Sequence, residues 1–188
     1  MGWSVPGKIK KKNLTITTMK KLIVPIILGL LVIGFPLTGF AQVTATATAE
    51  LVEALSASEE DQLNFGKFIA GESGGSITVA NTLAGAITTS GTVATIGGGA
   101  PSSASFDISG LASQTVEVTL PANGSVNLDH STSSDVMNVA SFTVSASTVT
   151  LSSTGDATVY VGATLTVPNS GIDVGVYSGT YQVTFAYQ

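Results

Sequence analysis

The 188-residue sequence predicts an all-β protein, an antiparallel β-sandwich, on three observations. From Gln42 onward the chain is rich in Val, Thr, Ser, Gly and Ala, and its apolar residues recur at every second position, as they do in half-buried strands. Turn signals close each of these segments, and helical periodicity is nearly absent. About ten short strands at close spacing are typical of a sandwich.

The first predicted strand is QVTATATAEL. Its polar residues alternate with an apolar set, which is Val43, Ala45, Ala47, Ala49 and Leu51. The acidic stretch that follows, as far as Asp61, is predicted to be a solvated loop.

The later strands share the same alternation and end at turn signals. They are QLNFGKF, GSITVAN, SASFDIS, TVEVTL, SVNL, VASFTVS, TVTL and ATVYVGATLTV. The Asn123-Gly124 pair suits a type I′ hairpin turn between TVEVTL and SVNL. The final strand is GTYQVTFAYQ, in which one face carries Tyr181, Val183, Phe185 and Tyr187.

A leader precedes this domain. The segment from Met19 has two lysines, an apolar run and a small-residue site ending at Ala41, which is the pattern of a secretory signal peptide. We therefore predict Met19 as the initiator, cleavage after Ala41, a leader of residues 1–41 and one domain of residues 42–188. Prolines and glycines in the apolar run argue against a permanent membrane anchor. The predicted location is secreted, from the periplasm to the cell surface or beyond.

The charge of the exported part limits its partners. After Ala41 there are one lysine, Lys67, no arginine and twelve acidic residues, a formal net charge of −11. Such a chain cannot neutralise a row of phosphates, so nucleic-acid binding is excluded. The sequence has no cysteine, so neither a disulfide nor a thiolate metal site is expected.

Two constellations resemble catalytic or metal sites. The stretch GESGG around Ser73 matches G-x-S-x-G, but that motif needs a strand-to-helix turn, and the single histidine, His130, follows the serine. His130 with Asp129 and Asp135 could form a loose cation site, but a solvated hairpin end fits such a trio better. We therefore predict no catalytic residues, no metal and no cofactor.

Several stretches of the chain, in this order, resemble a family of secreted bacterial proteins, domain of unknown function 4402. They are LNFG, GGSITV, ASFDISG, LP, VGATLTV and GVYSGTYQVTFAY. That family is similar to spore-coat-protein-U and archaic chaperone–usher pilin subunits. The end of the chain resembles such pilins most closely, because Tyr187 is penultimate and Gly175 is fourteenth from the end.

The resemblance implies an immunoglobulin-like, pilin-like sandwich that lacks its final strand. In such subunits the last strand borders a groove that a chaperone, and then another subunit's N-terminal extension, fills. The acceptor residues would be Gly175, Tyr181, Val183, Phe185 and Tyr187. The donor would be the strand from Val43 to Leu51, within an N-terminal segment of residues 42–55.

These observations leave two functions open. The first is a non-catalytic surface subunit, pilin-like or fimbrial, that self-associates or joins related subunits, with a periplasmic chaperone and a role in adhesion or biofilm. The second is a monomeric exported module that binds glycan or matrix, in which residues 43–51 fold back as the domain's own edge strand.

Overall fold

The computed structural model describes residues 41–169 and 171–188. The predicted leader therefore lies outside the described residues, apart from Ala41. One compact unit, Glu50–Gln188, contains all the described strands. The described residues form strands and turns but no helix, and so offer no helix of the length and hydrophobicity needed to cross a membrane. The prediction of an all-β fold is confirmed.

Thirteen strands make up this unit. They are β1 (Ser56–Asp61), β2 (Phe68–Ile69), β3 (Gly75–Val79), β4 (Ile87–Gly91), β5 (Ala94–Thr95), β6 (Ala104–Ser109), β7 (Thr115–Thr119), β8 (Val126–His130), β9 (Val136–Val144), β10 (Thr148–Thr150), β11 (Asp156–Val167), β12 (Tyr177–Ser178) and β13 (Thr184–Tyr187).

The strands form one large and two small antiparallel sheets. The large sheet has the order β1-β6-β11-β9-β8-β12, and β3 joins it by pairing with both β11 and β4. A second sheet has the order β10-β7-β13, and β2 pairs with β5 in a third. The large sheet is one layer of the fold, and the second sheet with the irregular chain beside it is the second layer. The 12-residue β11 is central because it pairs with β3, β6 and β9, and its alternate residues from Val159 to Leu165 are almost fully buried.

Two apolar clusters fill the space between the layers. One includes Ile108, Val116 and Val159, and joins β6 and β11 to the three-stranded sheet. The other lies on the part of the large sheet formed by β3, β8, β9 and β11. This second cluster is covered mostly by irregular chain around Phe65 and by residues after Ile172, not by a continuous sheet.

Three predictions about residues 42–68 were wrong. Residues 41–55 form no strand, whereas the acidic stretch predicted to be a loop is β1. Backbone pairing with β6 holds β1, and that pairing needs no apolar side chain. The segment QLNFGKF contributes only an isolated bridge at Asn64 and Phe68, the first residue of β2.

The turn at Asn123-Gly124 is not a type I′ hairpin. Gly124 has a φ of 72°, but among the described residues the non-glycine position with positive φ is Ser113, so Asn123 does not meet the type I′ requirement. The Ser125 N–H donates to the Ala122 carbonyl (3.1 Å) and closes a single turn. β7 and β8 belong to different sheets, so this turn carries the chain from one layer to the other.

Candidate functional site

The end of the chain alternates as the sequence predicts. Tyr181, Val183, Phe185 and Tyr187 are half-buried, whereas the residues between them are exposed. Phe185 packs against Phe106 of β6 with ring centroids 5.7 Å apart. The four side chains therefore face the large sheet, although only Thr184–Tyr187 form a strand.

One edge of β13 has none of the described strands beside it. Among the described strands β13 pairs with β7 alone. The Gln188 N–H donates to the Thr115 carbonyl (3.0 Å), while the N–H of Val118, the residue opposite Phe185, donates to Ser147 (2.9 Å) on the far side of β7. Because backbone groups of an antiparallel strand point alternately to either side, those of Phe185 and Tyr187 face the free edge.

Tyr187 anchors this strand to the rest of the domain. Its hydroxyl accepts a hydrogen bond from the Leu111 N–H (2.7 Å) and donates one to the Glu53 carbonyl (3.2 Å). A side chain at Gly110 would overlap the same hydroxyl. The phenol therefore fixes β13 to the end of β6 and to the chain that leads into β1.

Gly175, predicted in the acceptor strand, lies in a bend before β12, so that assignment to a strand is wrong. A Cβ atom at this position would overlap the imidazole of His130. The structure thus requires glycine here for a reason that the sequence does not reveal.

His130 holds two loops together. Its Nδ1 accepts hydrogen bonds from the backbone N–H groups of Thr132 (3.2 Å) and Ser133 (2.9 Å), so the neutral ring carries its proton on Nε2, which faces the Val174 carbonyl (3.4 Å). The ring packs edge-on against Tyr177, with centroids 4.9 Å apart.

The sequence favours a solvated hairpin end over a loose cation site for Asp129, His130 and Asp135, and the carboxylate of Asp135 has a structural partner there. It accepts a hydrogen bond from the Asp173 N–H (2.7 Å). Within residues 41–169 and 171–188, no three His, Cys, Asp or Glu side chains are placed to hold a metal ion together.

An apolar groove of about 900 Å³ opens in the second layer. One wall is formed by residues 62–70 and the other by residues 172–179 with Tyr181. Its floor is the inner face of β8, β9 and β11, with the side chains of Val126, Leu128, Met137, Val139, Phe142 and Leu165. The second wall continues along the chain into β13 and its free edge.

Tyr181 lies where this wall approaches β13. Its ring packs on Phe142 with centroids 5.1 Å apart, and its buried hydroxyl has no hydrogen-bond partner among the described residues. Burial raises the pKa of the Tyr181 phenol, and the negative charge of Glu59 raises it further. An unsatisfied hydroxyl inside an apolar groove costs about 1–3 kcal/mol.

The predicted donor segment forms no strand and is exposed. Residues 41–55 carry no strand, and the side chains of Val43 and Leu51 are 84% and 99% exposed. The alanines at 45, 47 and 49 are exposed as well. The apolar set is therefore presented to solvent and not used in the core.

Ser73 lies on an exposed turn between β2 and β3. Its N–H donates to Oγ1 of Thr92 (3.1 Å). The turn precedes a strand, not a helix, so the strand-to-helix elbow that the G-x-S-x-G motif requires is not formed at Ser73.

Comparison with known proteins identifies the family. No curated protein and no solved structure matches the chain. The model of the family described as domain of unknown function (DUF4402) matches residues 55–187, which include all thirteen strands and the groove. The chain is a member of the DUF4402 family.

Proposed function

We propose that the protein is a non-catalytic, secreted structural subunit of the bacterial surface, pilin-like in that it assembles by strand complementation. The observation that carries this proposal is the groove between residues 62–70 and residues 172–179 with Tyr181, whose second wall leads along the chain into β13, a strand with one edge unpaired among the described strands. A groove with an apolar floor and a free strand edge beside it fits an extended segment of another chain.

The donor in this proposal is the segment from Val43 to Leu51 of a second copy. Burying Val43 and Leu51 contributes roughly 1.5–3 kcal/mol each, and three alanine methyl groups add about 0.8 kcal/mol each, which gives about 5–8 kcal/mol. Ordering nine backbone residues costs about 1 kcal/mol each or more. Backbone hydrogen bonds to Phe185 and Tyr187 of β13 must therefore supply the binding free energy that burial of these side chains does not.

The packing of the domain is compatible with this function. A surface subunit without disulfides depends on packing, and this domain packs its two clusters without a cysteine. Related subunits and a periplasmic chaperone, which would cover the groove before assembly, are the proposed partners. The exposed turn at Ser73 is proposed to be structural, as are the contacts of His130.

Peptide binding tests the proposal. A chain that lacks residues 42–51 should bind a synthetic QVTATATAEL peptide and gain thermal stability on binding, because the peptide fills the groove and pairs with β13. The matched control, QSTATATAES, lacks the two large apolar residues and should bind at least ten-fold more weakly. Binding would be measured by fluorescence anisotropy and unfolding by circular dichroism.

Two results would contradict the proposal. Equal affinity for both peptides would show that the side chains of Val43 and Leu51 do not contribute to binding. Failure of the folded, shortened chain to bind QVTATATAEL at any accessible concentration would show that the groove does not accept this segment.

A further inference from the structure

The free edge of β13 points toward β1. In the second layer β13 lies over β6, since Phe185 contacts Phe106 and the Tyr187 hydroxyl bonds to Leu111 just after β6. β10 leads directly into β11 through a turn closed by the Ser152 N–H and the Asp156 carbonyl (3.0 Å). The order β10-β7-β13 thus runs across the large sheet from β11 toward β6, and β1 is the next strand.

The inner face of β1 is uncovered. Ala57 is opposite Ile108, and Glu59 is opposite Phe106. Side chains of paired residues project to the same face of a sheet, and Ile108 is buried in the core, so Ala57 and Glu59 project toward the second layer. Both are nevertheless exposed, because no strand of the described chain lies beyond β13 to cover them.

Glu59 is therefore an inward-facing charge beside an open strand edge. Inward-pointing charges on edge strands oppose unspecific strand addition, because a covering strand must remove water from them. The influence of this carboxylate reaches the groove, since its charge adds to burial in raising the pKa of Tyr181.

The neighbouring Glu60 provides a matched comparison. It occupies the bulge between Glu59 and Asp61, and its carboxylate accepts a hydrogen bond from the Ser58 hydroxyl (3.1 Å). Ser58 is opposite Asp107, which accepts a hydrogen bond from Thr158 on the outer face of the sheet. The two glutamates thus have the same charge on opposite faces of one strand.

We propose that Glu59 selects the segment that enters the groove. A donor is accepted when the residue seated against Glu59 is small and uncharged, or cationic, and is rejected when that residue is acidic or large and apolar. The proposal rests on the strand complementation proposed above. The donor segment of this chain satisfies the rule, since it is uncharged from Gln42 to Ala49 and its inward central residues are alanines.

A peptide series on the full exported chain tests this selection. Labelled QVTATATAEL peptides would carry Lys, Glu or Leu in place of Ala45, Ala47 or Ala49, one position at a time. One of the three positions should be the one seated against Glu59. At that position we expect wild type to bind the Lys peptide about five-fold more tightly than the Glu59→Gln variant does. Wild type should bind the Glu peptide about five-fold more weakly than the variant does. Glu60→Gln should bind every peptide as wild type does.

The Leu peptide tests the second half of the rule. At the same position Glu59→Gln should accept Leu better than wild type does, because a neutral amide is easier to cover than a carboxylate. Thermal unfolding of each variant checks that the fold is retained, and both substitutions are at exposed sites.

The outcomes separate this inference from the function on which it rests. If the unmodified peptide binds but Glu59→Gln and Glu60→Gln behave alike throughout the series, Glu59 does not select and the inference is wrong. If the unmodified peptide does not bind wild type and the full chain stays monomeric, strand complementation itself is wrong.

Discussion

Replacing Tyr187 with serine should lower the free energy of unfolding by about 3–4 kcal/mol, which corresponds to a fall in Tm of roughly 10 °C. The substitution removes a half-buried aromatic ring from the cluster around Val116 and both hydrogen bonds of the hydroxyl, to Leu111 and Glu53. It also leaves the Leu111 N–H without its partner.

The control for this substitution is Gln182→Ser, at an exposed position five residues earlier in the same segment. It should change the free energy of unfolding by less than about 0.5 kcal/mol. Chemical denaturation of both variants measures the difference. A Tyr187→Ser protein as stable as Gln182→Ser would show that the phenol does not anchor the last strand.

Removing residues 42–51 should abolish assembly while leaving the domain folded. These residues form no strand and present Val43 and Leu51 to solvent, so their loss takes no apolar contact from the two clusters. Under the proposed strand complementation, the shortened chain would keep the groove and cap a growing polymer, but it would have no donor of its own.

Mixing subunits that carry different tags tests this expectation. Full-length chains refolded together should form mixed species that resist SDS, and the shortened chain should shorten them as its proportion rises. A stable full-length monomer, with a shortened chain that is markedly less stable, would instead indicate that residues 43–51 fold back on their own domain.

The sequence predicted the strands whose apolar alternation is regular. β3, β6 and β7 lie within the predicted segments, β11 begins one residue before its segment, and the alternating faces of Tyr181 to Tyr187 are as predicted. The period of two is sufficient here because one face of each strand is buried.

The errors have a common cause, since strand pairing depends on the neighbouring strand as well as on the sequence of the segment. QVTATATAEL alternates but has no neighbour in a single chain, whereas SASEED lacks an apolar face and is held by β6. The groove unites residues more than 100 positions apart in sequence, such as Phe68 and Tyr177, so no local pattern could predict it.

Two other features required the structure. The contact that makes Gly175 necessary involves His130, 45 positions earlier, and the inward direction of Glu59 follows from its register with Phe106. The register itself depends on the bulge between Glu59 and Asp61, for which SASEED carries no recognisable signal.

Residue-specific amide exchange along β13 tests strand complementation most directly. In the chain without residues 42–51, the amides of Thr184 and Ala186 should be protected because they face β7, while those of Phe185 and Tyr187 should exchange freely. Adding QVTATATAEL should slow the exchange of Phe185 and Tyr187 by about 100-fold or more and leave the other two amides as they were. Exchange at Phe185 and Tyr187 that stays fast with the peptide bound would contradict pairing at this edge.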